Sequence, residues 1–366
     1  MQVSFSYLDR QFAELDGYLE DIRALVRSSA LTLGPAVEEF ERRFAELSGL
    51  PYAVGVGTGT DALRLPLELA GVGAGDEVIT TPNTFIATVG AIVATGARPV
   101  FVDSEDGFVI DAGLIEDAIT ARTKAIVPVH YTGNVADMPR IAQVADERGL
   151  ALVEDACQAT AAAIDDTPVG SWGIAAAFSL HPLKNLNVWG DGGVVVTRSP
   201  ELAERLRLYR NHGLVNRDEV AVWGVNSRLD ALQAVVGTRL IKDVPAITER
   251  RIATAARYDA ALSRIGGIRV PVRRPGVRHV FHLYMVRADS RDELLTFLTG
   301  AGVEAKVHYP IPVHLQEAAR ELGYGKGDFP CAEGDAKSVI TLPAHPYLTD
   351  DEVEYTIDRV RAFYGA

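Results

Sequence analysis

The sequence predicts an α/β protein in which a large domain contains a mostly parallel sheet and a smaller C-terminal domain is α+β. The chain has 366 residues, which is too long for one ordinary compact core. Short, almost wholly apolar segments alternate with helical patterns over the first two thirds, as in a sheet covered by helices on both faces. The last third mixes helices and strands. We therefore predict a large domain at residues 1–245, with an N-terminal helical arm, and a small domain at residues 246–366.

Composition excludes several classes of function. The formal net charge is −13 and no run of Lys or Arg stands out, which argues against nucleic acid as a partner. Cys157 and Cys331 lie far apart and show no metal-type spacing, so no metal site is predicted. The N-terminus lacks the pattern of a signal peptide, and no apolar run reaches the ~18 residues that a membrane span needs. We expect a cytoplasmic protein that does not bind membranes.

The N-terminal arm has a helical pattern. Apolar residues recur every three or four positions over the first ~30 residues, at Phe12, Leu15, Leu19, Ile22 and Val26. A Gly34-Pro35 break precedes a second amphipathic helix that starts near Val37. Such an arm can pack on a partner, cover an active site or simply cap the large domain, and the sequence leaves all three open.

The remaining elements follow in chain order. In the first two thirds, strands are predicted at 52–56, 77–80, 99–103, 125–130, 151–155, 175–180 and 194–197, and helices at 57–69, 83–94, 138–147 and 200–209. In the last third, a helix at 227–262 interrupted near Pro245 is followed by strands at 268–270, 280–287 and 303–308 and by helices at 291–299 and 350–364. No internal repeat is present.

Polar and reactive residues cluster at predicted strand ends. Ligands of open parallel sheets gather beyond the carboxyl ends of the strands, and five residues fall at or just after such ends: Thr60, Phe85, His130, Asp155 and Lys184. We expect the site at this edge of the sheet.

A glycine-rich turn at residues 57–63 joins a strand to a helix. Its small residues, Gly59 and Thr60 among them, leave free N–H groups at the positive end of the helix dipole, which favours a phosphate. Glycines in such a turn can also be there for steric reasons alone. The turn matches neither the P-loop nor the full dinucleotide fingerprint.

Lys184 follows an apolar strand and sits on a turn begun by Pro182. A lysine between buried strands is costly unless it is paired or functional. Low polarity would lower the pKa of its amine and suit it to an imine bond with a carbonyl cofactor. A solvated loop lysine that holds a carboxylate is the alternative. The chain has few lysines, so Lys184 stands out.

A complete pyridoxal phosphate site can be assembled around this lysine. Such a site needs an anion beside the ring nitrogen, for which Asp155 is well placed. Gln158 could reach the phenolic oxygen, Phe85 could stack on the ring and Ser179 could bind the phosphate. Each has an ordinary alternative: Asp155 as a helix N-cap or a satisfied buried carboxylate, Phe85 as a core residue.

Several ordered motifs resemble one family. They are Leu33-Gly34-Pro35, Gly59-Thr60-Asp61-Ala62-Leu63, Gly75-Asp76-Glu77-Val78-Ile79, Asn83-Thr84-Phe85, Pro99-Val100-Phe101-Val102-Asp103, Glu154-Asp155-Ala156, Phe178-Ser179 with Lys184-Asn185, Arg228-Leu229-Asp230 and His308-Tyr309-Pro310. Over essentially its whole length the chain resembles the fold-type I, PLP-dependent sugar aminotransferases of the DegT/StrS group. The resemblance implies a mostly parallel seven-stranded sheet in the large domain and pyridoxal 5′-phosphate as the cofactor.

The resemblance also implies roles for particular residues. Lys184 would bind the cofactor as a Schiff base and shuttle the proton, and Gly59, Thr60, Phe85, Asp155, Gln158 and Ser179 would hold the cofactor. The family forms homodimers with shared active sites, so Asn226 would reach the phosphate of the neighbouring subunit. Arg228, His308, Tyr309 and Trp189 are the expected substrate residues.

Departures from the family pattern border the expected substrate site. Tyr131-Thr132-Gly133-Asn134 stands where Leu-Tyr-Gly-Gln is commoner, and Ala159-Thr160 where an Ala-His pair is frequent. They put the identity of the substrate in doubt. A phosphorylated or acidic sugar would need local cations, for which the candidates are Arg210, Arg217, Arg228 and Lys306.

The predicted function is amino transfer from an amino acid, by family analogy glutamate, to a keto-sugar, in amino-sugar, antibiotic or surface-glycan biosynthesis. The sugar could be nucleotide-linked, free or phosphorylated, or a keto-sugar acid or cyclitol. A sugar dehydratase is disfavoured because those relatives carry histidine at the position of Lys184. A regulatory PLP-binding protein and a nucleotide-binding α/β protein are the remaining alternatives.

Overall fold

The computed structural model describes residues 1–366. The helices are α1 (Leu8–Gln11), α2 (Asp16–Ser28), α3 (Pro35–Ser48), α4 (Gly59–Leu69), α5 (Ile86–Ala94), α6 (Met138–Arg148), α7 (Pro200–Tyr209), α8 (Ala231–Leu240), α9 (Val244–Leu262), α10 (Arg291–Gly300), α11 (Pro330–Ser338) and α12 (Asp350–Tyr364). The strands are β1 (Tyr52–Val56), β2 (Glu77–Thr80), β3 (Arg98–Phe101), β4 (Thr123–Ile126), β5 (Ala151–Asp155), β6 (Ala163–Ile164), β7 (Thr167–Pro168), β8 (Ala175–Ser179), β9 (Gly193–Thr197), β10 (Ile268–Arg269), β11 (Val277–Arg278), β12 (Tyr284–Ala288) and β13 (Val339–Leu342).

A seven-stranded sheet with the order β1-β9-β8-β5-β4-β2-β3 forms the centre of the protein. The neighbours from β8 to β3 pair in parallel, whereas β9 runs antiparallel to both β8 and β1. β2, β8 and β9 are buried along their whole length, as expected for a sheet with helices on both faces. The predicted α/β fold with a mostly parallel sheet is confirmed.

The C-terminal part contains a smaller antiparallel sheet with the order β10-β12-β13. Residues from α9, α10 and α12 pack on it and form a core of 20 buried residues with Val3 from the N-terminus. α12 begins at a capping box, in which Thr349 Oγ1 accepts the Glu352 N–H and the Glu352 carboxylate accepts the Thr349 N–H. The domain boundary near residue 245 stays a prediction.

Two predicted elements, the N-terminal helix and the strand at 303–308, differ most from the structure. The N-terminal helix is divided into α1 and α2, and Leu15, Leu19 and Val26 are exposed while Tyr18 and Leu25 face the core. Residues 303–308 are not a strand. Instead of pairing as a continuous strand, this segment makes isolated bridges from Val303 to Val3 and from Lys306 to Thr341. Its apolar residues are therefore buried without belonging to a sheet.

The break predicted within residues 227–262 is present. α8 ends at Leu240, and a short 3₁₀ turn leads into α9, where Pro245 occupies the first turn. β13 and α11 were not predicted from the sequence. No helix is long and apolar enough to cross a membrane.

Candidate active site

A cavity of about 460 Å³ lies at the carboxyl edge of the large sheet. Its walls come from both the large sheet and the C-terminal part of the chain. It brings together nine residues that the sequence singled out: Gly59, Thr60, Phe85, Asp155, Gln158, Ser179, Lys184, His308 and Tyr309. Of the five residues expected at strand ends, Thr60, Phe85, Asp155 and Lys184 line this cavity, and His130 does not.

Lys184 reaches the cavity from the turn that follows β8. Its N–H donates to the His181 carbonyl at 2.8 Å, which closes the turn and leaves the amine free. Burial lowers the pKa of the Lys184 amine, while the nearby Cys157 and Asp155 act in the opposite direction. A lowered pKa increases the fraction of unprotonated amine, which is the nucleophilic form.

Asp155 is the last residue of β5 and is only 4% exposed. Its carboxylate accepts the Thr88 Oγ1–H at 2.7 Å and the Cys157 N–H at 3.1 Å. Thr88 in turn lies 2.7 Å from Thr84, hydroxyl to hydroxyl. The carboxylate is therefore oriented by two donors, and its position in the cavity wall suits it to pair with a cationic ligand atom.

Glu154, the preceding residue, points to the other face of the sheet because side chains alternate along a strand. Its carboxylate accepts the N–H groups of Gly170 and Gly173 at 2.7 and 3.0 Å and lies 3.1 Å from His130 Nε2. His130 also follows a strand end, but it is fully buried in this structural network and does not line the cavity. In the sequence, a position just after a strand does not distinguish His130 from the residues that line the cavity.

The N-terminus of α4 faces Ser179. Thr58 Oγ1 accepts the Asp61 N–H at 3.0 Å and the Thr58 carbonyl accepts the Ala62 N–H at 3.0 Å, so the N–H groups of Gly59 and Thr60 have no partner within the helix. A Cβ at Gly59 would lie 2.7 Å from Ser179 Cβ. Only glycine lets the turn approach this closely, and the resulting cradle of N–H groups and a hydroxyl suits a phosphate.

Gln158 and Phe85 complete the wall. Gln158 Oε1 accepts the Thr132 N–H at 2.7 Å, which fixes the amide and leaves its NH₂ group available to a ligand oxygen. Phe85 caps the start of α5, is 49% exposed and lies 5.9 Å from the Tyr309 ring. An exposed aromatic ring beside a cavity is suited to stacking on a planar ligand.

Three histidines line the C-terminal side of the cavity. Burial lowers the pKa of His308 and of His345 to about 4, and that of His282 well below its usual value. These side chains are neutral near pH 7 and act as hydrogen-bonding groups. His308 Nδ1 lies 2.9 Å from Thr341 Oγ1, which sets the orientation of its ring.

Sequence reasoning missed Tyr7, Arg251, His282 and His345 in the lining. They are distant in the chain from the strand-end motifs, and no local pattern distinguishes them from core residues. Arg251 and Lys184 are the only Lys or Arg side chains in the wall. Arg251 donates to the carbonyl oxygens of Phe281, His282 and Ala344 and to the Tyr7 hydroxyl, so its charge is already engaged.

Three expected site residues lie outside the cavity of a single chain. Asn226 is exposed and bridges to Asn211, whose side chain also accepts a hydrogen bond of 3.0 Å from Arg228. Trp189 packs against Phe12 and Tyr18. The roles of Asn226, Arg228 and Trp189 stay predictions.

None of the four candidate cations lines the cavity. Arg210 is buried and donates to Glu41 and to the Gly55 carbonyl, so it stabilises β1 rather than binding a sugar. Lys306 does not line the cavity, although its charge helps to lower the pKa of His308. Arg217 and Arg228 lie outside the wall as well.

The residues present fit pyridoxal phosphate. Lys184 would provide the amine for its aldehyde, Asp155 would face its ring nitrogen, and Gly59, Thr60 and Ser179 would form the cradle for its phosphate. When bound, this cofactor acts as an electron sink for a substrate carbanion. The protein's part would be to hold Lys184 as the proton carrier and to orient the Asp155 carboxylate through its hydrogen bonds with Thr88 and the Cys157 N–H.

Comparison with known proteins agrees with this chemistry. The model of the DegT/DnrJ/EryC1/StrS aminotransferase family matches residues 15–361. The chain is 42% identical to a dTDP-3-amino-3,4,6-trideoxy-alpha-D-glucose transaminase of Streptomyces venezuelae, over 96% of this chain and 95% of that protein. It is 41% identical to a pleiotropic regulatory protein of Geobacillus stearothermophilus, over 100% of this chain and 99% of that protein.

Solved structures give the same result. The crystal structure of Streptomyces venezuelae DesV in complex with a ketimine intermediate has a TM-score of 0.97 and 41% identity, with 100% of this chain and 99% of that chain covered. Other similar structures have been solved in a PLP form and with bound cofactor PMP, at 28% and 31% identity. The chain therefore belongs to the DegT/DnrJ/EryC1/StrS aminotransferase family and is a sugar aminotransferase whose cofactor is pyridoxal phosphate.

Proposed function

We propose that this protein transfers an amino group from L-glutamate to a nucleotide-linked keto-sugar, in amino-sugar, antibiotic or surface-glycan biosynthesis. The observation that supports it best is that the Lys184 side chain and the oriented carboxylate of Asp155 line the same cavity. The name of the Streptomyces venezuelae relative, a dTDP-sugar transaminase, favours a nucleotide-linked substrate. Free or phosphorylated keto-sugars, keto-sugar acids and cyclitols are the alternatives that the test must include.

The cavity wall suits a neutral sugar ring better than a charged one. Its cations are Lys184, which the cofactor engages, and Arg251, which already donates to three carbonyl oxygens. The aromatic rings of Phe5, Phe85 and Tyr309 line the cavity, and they suit the apolar faces of a sugar. The neutral ring of His308 can donate or accept hydrogen bonds with the hydroxyl groups of the sugar.

Charged groups of the donor and of a nucleotide need cations from elsewhere. We propose that the protein is a homodimer and that Arg228 and Asn226 of one subunit serve the cavity of the other. In support, these residues follow a segment, residues 215–223, that carries exposed apolar side chains, with Trp223 at 91% and Val215 at 61%. Exposed apolar surface of this kind marks interaction sites. A cytoplasmic location is part of the same proposal.

The experiment is amino transfer with purified protein, glutamate and a panel of dTDP- and UDP-linked, phosphorylated and free keto-sugars, read by mass spectrometry of the sugar product. We expect an amino-sugar only with nucleotide-linked substrates, and none with Lys184→Ala. Turnover by Lys184→Ala, or preference for free sugars, would contradict the proposal. If glutamate does not change the absorbance of the bound cofactor, glutamate is not the amino donor and this part of the proposal fails.

Shared sites are tested by mixing two inactive variants. Lys184→Ala and Arg228→Ala chains are unfolded together, refolded and assayed, with each variant refolded alone as the control. In a mixed dimer one cavity has an intact Lys184 and receives an intact Arg228 from the partner. We expect activity to return only in the mixture. An inactive mixture of dimers would contradict the assignment of Arg228 to the neighbouring site.

A further inference from the structure

The N-terminal segment, residues 3–11, is fixed at its start to the C-terminal part of the chain. The Val3 N–H donates to the Gly302 carbonyl at 2.8 Å, and the Val3 carbonyl accepts the Glu304 N–H at 3.0 Å. The Phe5 N–H donates to the Glu304 carboxylate at 2.9 Å. Val3 itself is fully buried, so this end is held by both packing and hydrogen bonds.

The far end of the segment is fixed to the start of α12. Arg10 donates to the two oxygens of Glu352 at 2.8 and 2.5 Å and to the Tyr347 carbonyl at 2.9 Å. Such a bidentate pair fixes direction as well as distance. The part of the segment between Phe5 and Arg10 is therefore held at both ends.

Tyr7 lies between the anchors and points into the active-site cavity, where it is 4% exposed. Its hydroxyl donates to the Lys184 carbonyl at 3.1 Å, with the Leu183 carbonyl at 3.3 Å as a second acceptor. Arg251 donates to the same hydroxyl at 3.2 Å. The phenol thus receives a hydrogen bond from a cation and passes one to the main chain of the reactive lysine, which polarises and strengthens the second bond.

Gln11 acts on the same carbonyl through a second residue. Its Oε1 accepts a hydrogen bond of 2.9 Å from Asn187 Nδ2, and the same NH₂ group donates to the Lys184 carbonyl at 3.1 Å. Asn187 is fully buried. Two donors therefore meet at the Lys184 carbonyl, one belonging to the N-terminal segment and the other oriented by it.

We propose that Tyr7 is a positioning residue for Lys184, assisted by Gln11 through Asn187, and that the N-terminal segment thereby belongs to the active site. The hydrogen bonds go to the main chain of Lys184, so they fix the origin of its side chain without occupying its amine. Displacement of a reacting group by ~1 Å is enough to cost about a hundredfold in rate. The proposal rests on the role of Lys184 as the cofactor-binding residue.

The direct test is hydrogen–deuterium exchange of the full-length protein, with and without pyridoxal phosphate, for Tyr7→Phe and a matched Tyr347→Phe. Tyr347 stacks on Tyr7 at 5.7 Å but makes no side-chain hydrogen bond to the lysine turn. In Tyr7→Phe we expect the amides of Lys184 and Val188 to exchange about two- to tenfold faster, the range for loss of one neutral hydrogen bond. In Tyr347→Phe they should exchange as in the wild type.

Unchanged exchange in Tyr7→Phe would overturn the proposal, and so would equal acceleration in both variants, because ring packing rather than the hydroxyl would then hold the turn. Exchange measured without cofactor tests the hydrogen bond from Tyr7 to the Lys184 carbonyl independently of catalysis. The absorbance of bound cofactor gives the second readout. We expect Tyr7→Phe to capture added pyridoxal phosphate several-fold more slowly and to lose kcat with little change in KM, with Gln11→Met affected in the same direction.

The two claims fail in different ways. Suppose that wild-type protein never captures pyridoxal phosphate, while Tyr7→Phe still accelerates exchange at the lysine turn. The proposed function then fails, and the role of Tyr7 in holding this turn stands. If capture and turnover are normal in both wild type and Tyr7→Phe, the role of Tyr7 is refuted and the proposed function stands.

Discussion

Thr88 donates a hydrogen bond of 2.7 Å to the carboxylate of Asp155, from the first turns of α5 to the end of β5. The bond joins two elements that are distant in sequence, and it points the carboxylate into the wall of the cavity. Because the hydroxyl of Thr84 lies 2.7 Å from that of Thr88, the orientation of Asp155 depends on a short chain of side chains.

Replacing Thr88 by valine keeps the shape of the side chain and removes the donor. We expect weaker retention of pyridoxal phosphate, by roughly tenfold, because a hydrogen bond to a charged group contributes about 1.5–3 kcal/mol. The retention of pyridoxal phosphate is measured by dialysis followed by titration with the cofactor. Thr84→Val, one bond further from the carboxylate, is the matched control and should have a smaller effect. Equal retention in Thr88→Val and wild type would contradict the role of Thr88.

Gly59→Ala tests the phosphate cradle. The new Cβ would lie 2.7 Å from Ser179 Cβ, so the turn must move away from Ser179. We expect the dissociation constant for pyridoxal phosphate to rise by about tenfold or more, since overpacking of this kind costs about 1–3 kcal/mol. Gly90→Ala is the control, because a Cβ there meets nothing within 4 Å. Unchanged affinity in Gly59→Ala would place the phosphate elsewhere.

The Arg10–Glu352 pair predicts a pH dependence of stability. Hydrogen bonds from Arg10 lower the pKa of Glu352 from its usual 4.5 to about 2. A lowered carboxyl pKa stabilises the fold above the unfolded-state value, and this contribution is lost as the pH falls from about 4.5 towards 2. Solvent screens the pair because Arg10 is partly exposed, so we expect Glu352→Gln to cost about 1 kcal/mol at pH 7.

Urea unfolding of wild type and Glu352→Gln at several pH values measures this difference. The two free energies of unfolding should differ at pH 7 and converge towards pH 3. Arg361→Gln is a useful control, because its exposed partner Asp358 lies within the same helix and little change is expected. A difference for Glu352→Gln that does not shrink in acid would contradict the assignment of the pKa shift.

His308 should remain neutral throughout the working pH range. Burial lowers the pKa of its ring to about 4, and the charges of Lys184 and Lys306 add to the effect. We therefore expect the NMR signals of His308, assigned with a His308→Gln variant, to show no titration between pH 6 and 8. A midpoint inside that window would mean that the ring carries charge during catalysis.

Much of the large sheet could be predicted because its strands are short apolar runs bounded by clear turn residues. β1, β2 and β5 begin and end as predicted. Residues 303–308 show the limit of such patterns, since Val303 is buried in the C-terminal core and bridges to Val3 from the opposite end of the chain. An apolar pattern in the sequence indicates that a segment is buried. It does not indicate which other segment covers it.

The residues of the site also divide into those that the sequence reveals and those that only the structure reveals. Asp155 and Lys184 could be found because their chemistry is unusual next to apolar strands. Tyr7 and Arg251 could not, because their roles come from contacts between segments 244 residues apart. The N-terminal arm was left between three interpretations, and the hydrogen bond from Tyr7 to the Lys184 carbonyl favours the one in which it covers an active site.

The central claim is that Lys184 is the residue that binds the cofactor. Borohydride reduction of the protein with bound pyridoxal phosphate, followed by peptide mapping with mass spectrometry, tests it most directly. We predict a single modified peptide that contains Lys184, and no modification in Lys184→Ala. A cofactor attached to any other lysine, or an unmodified wild-type protein that still transfers amino groups, would contradict the account.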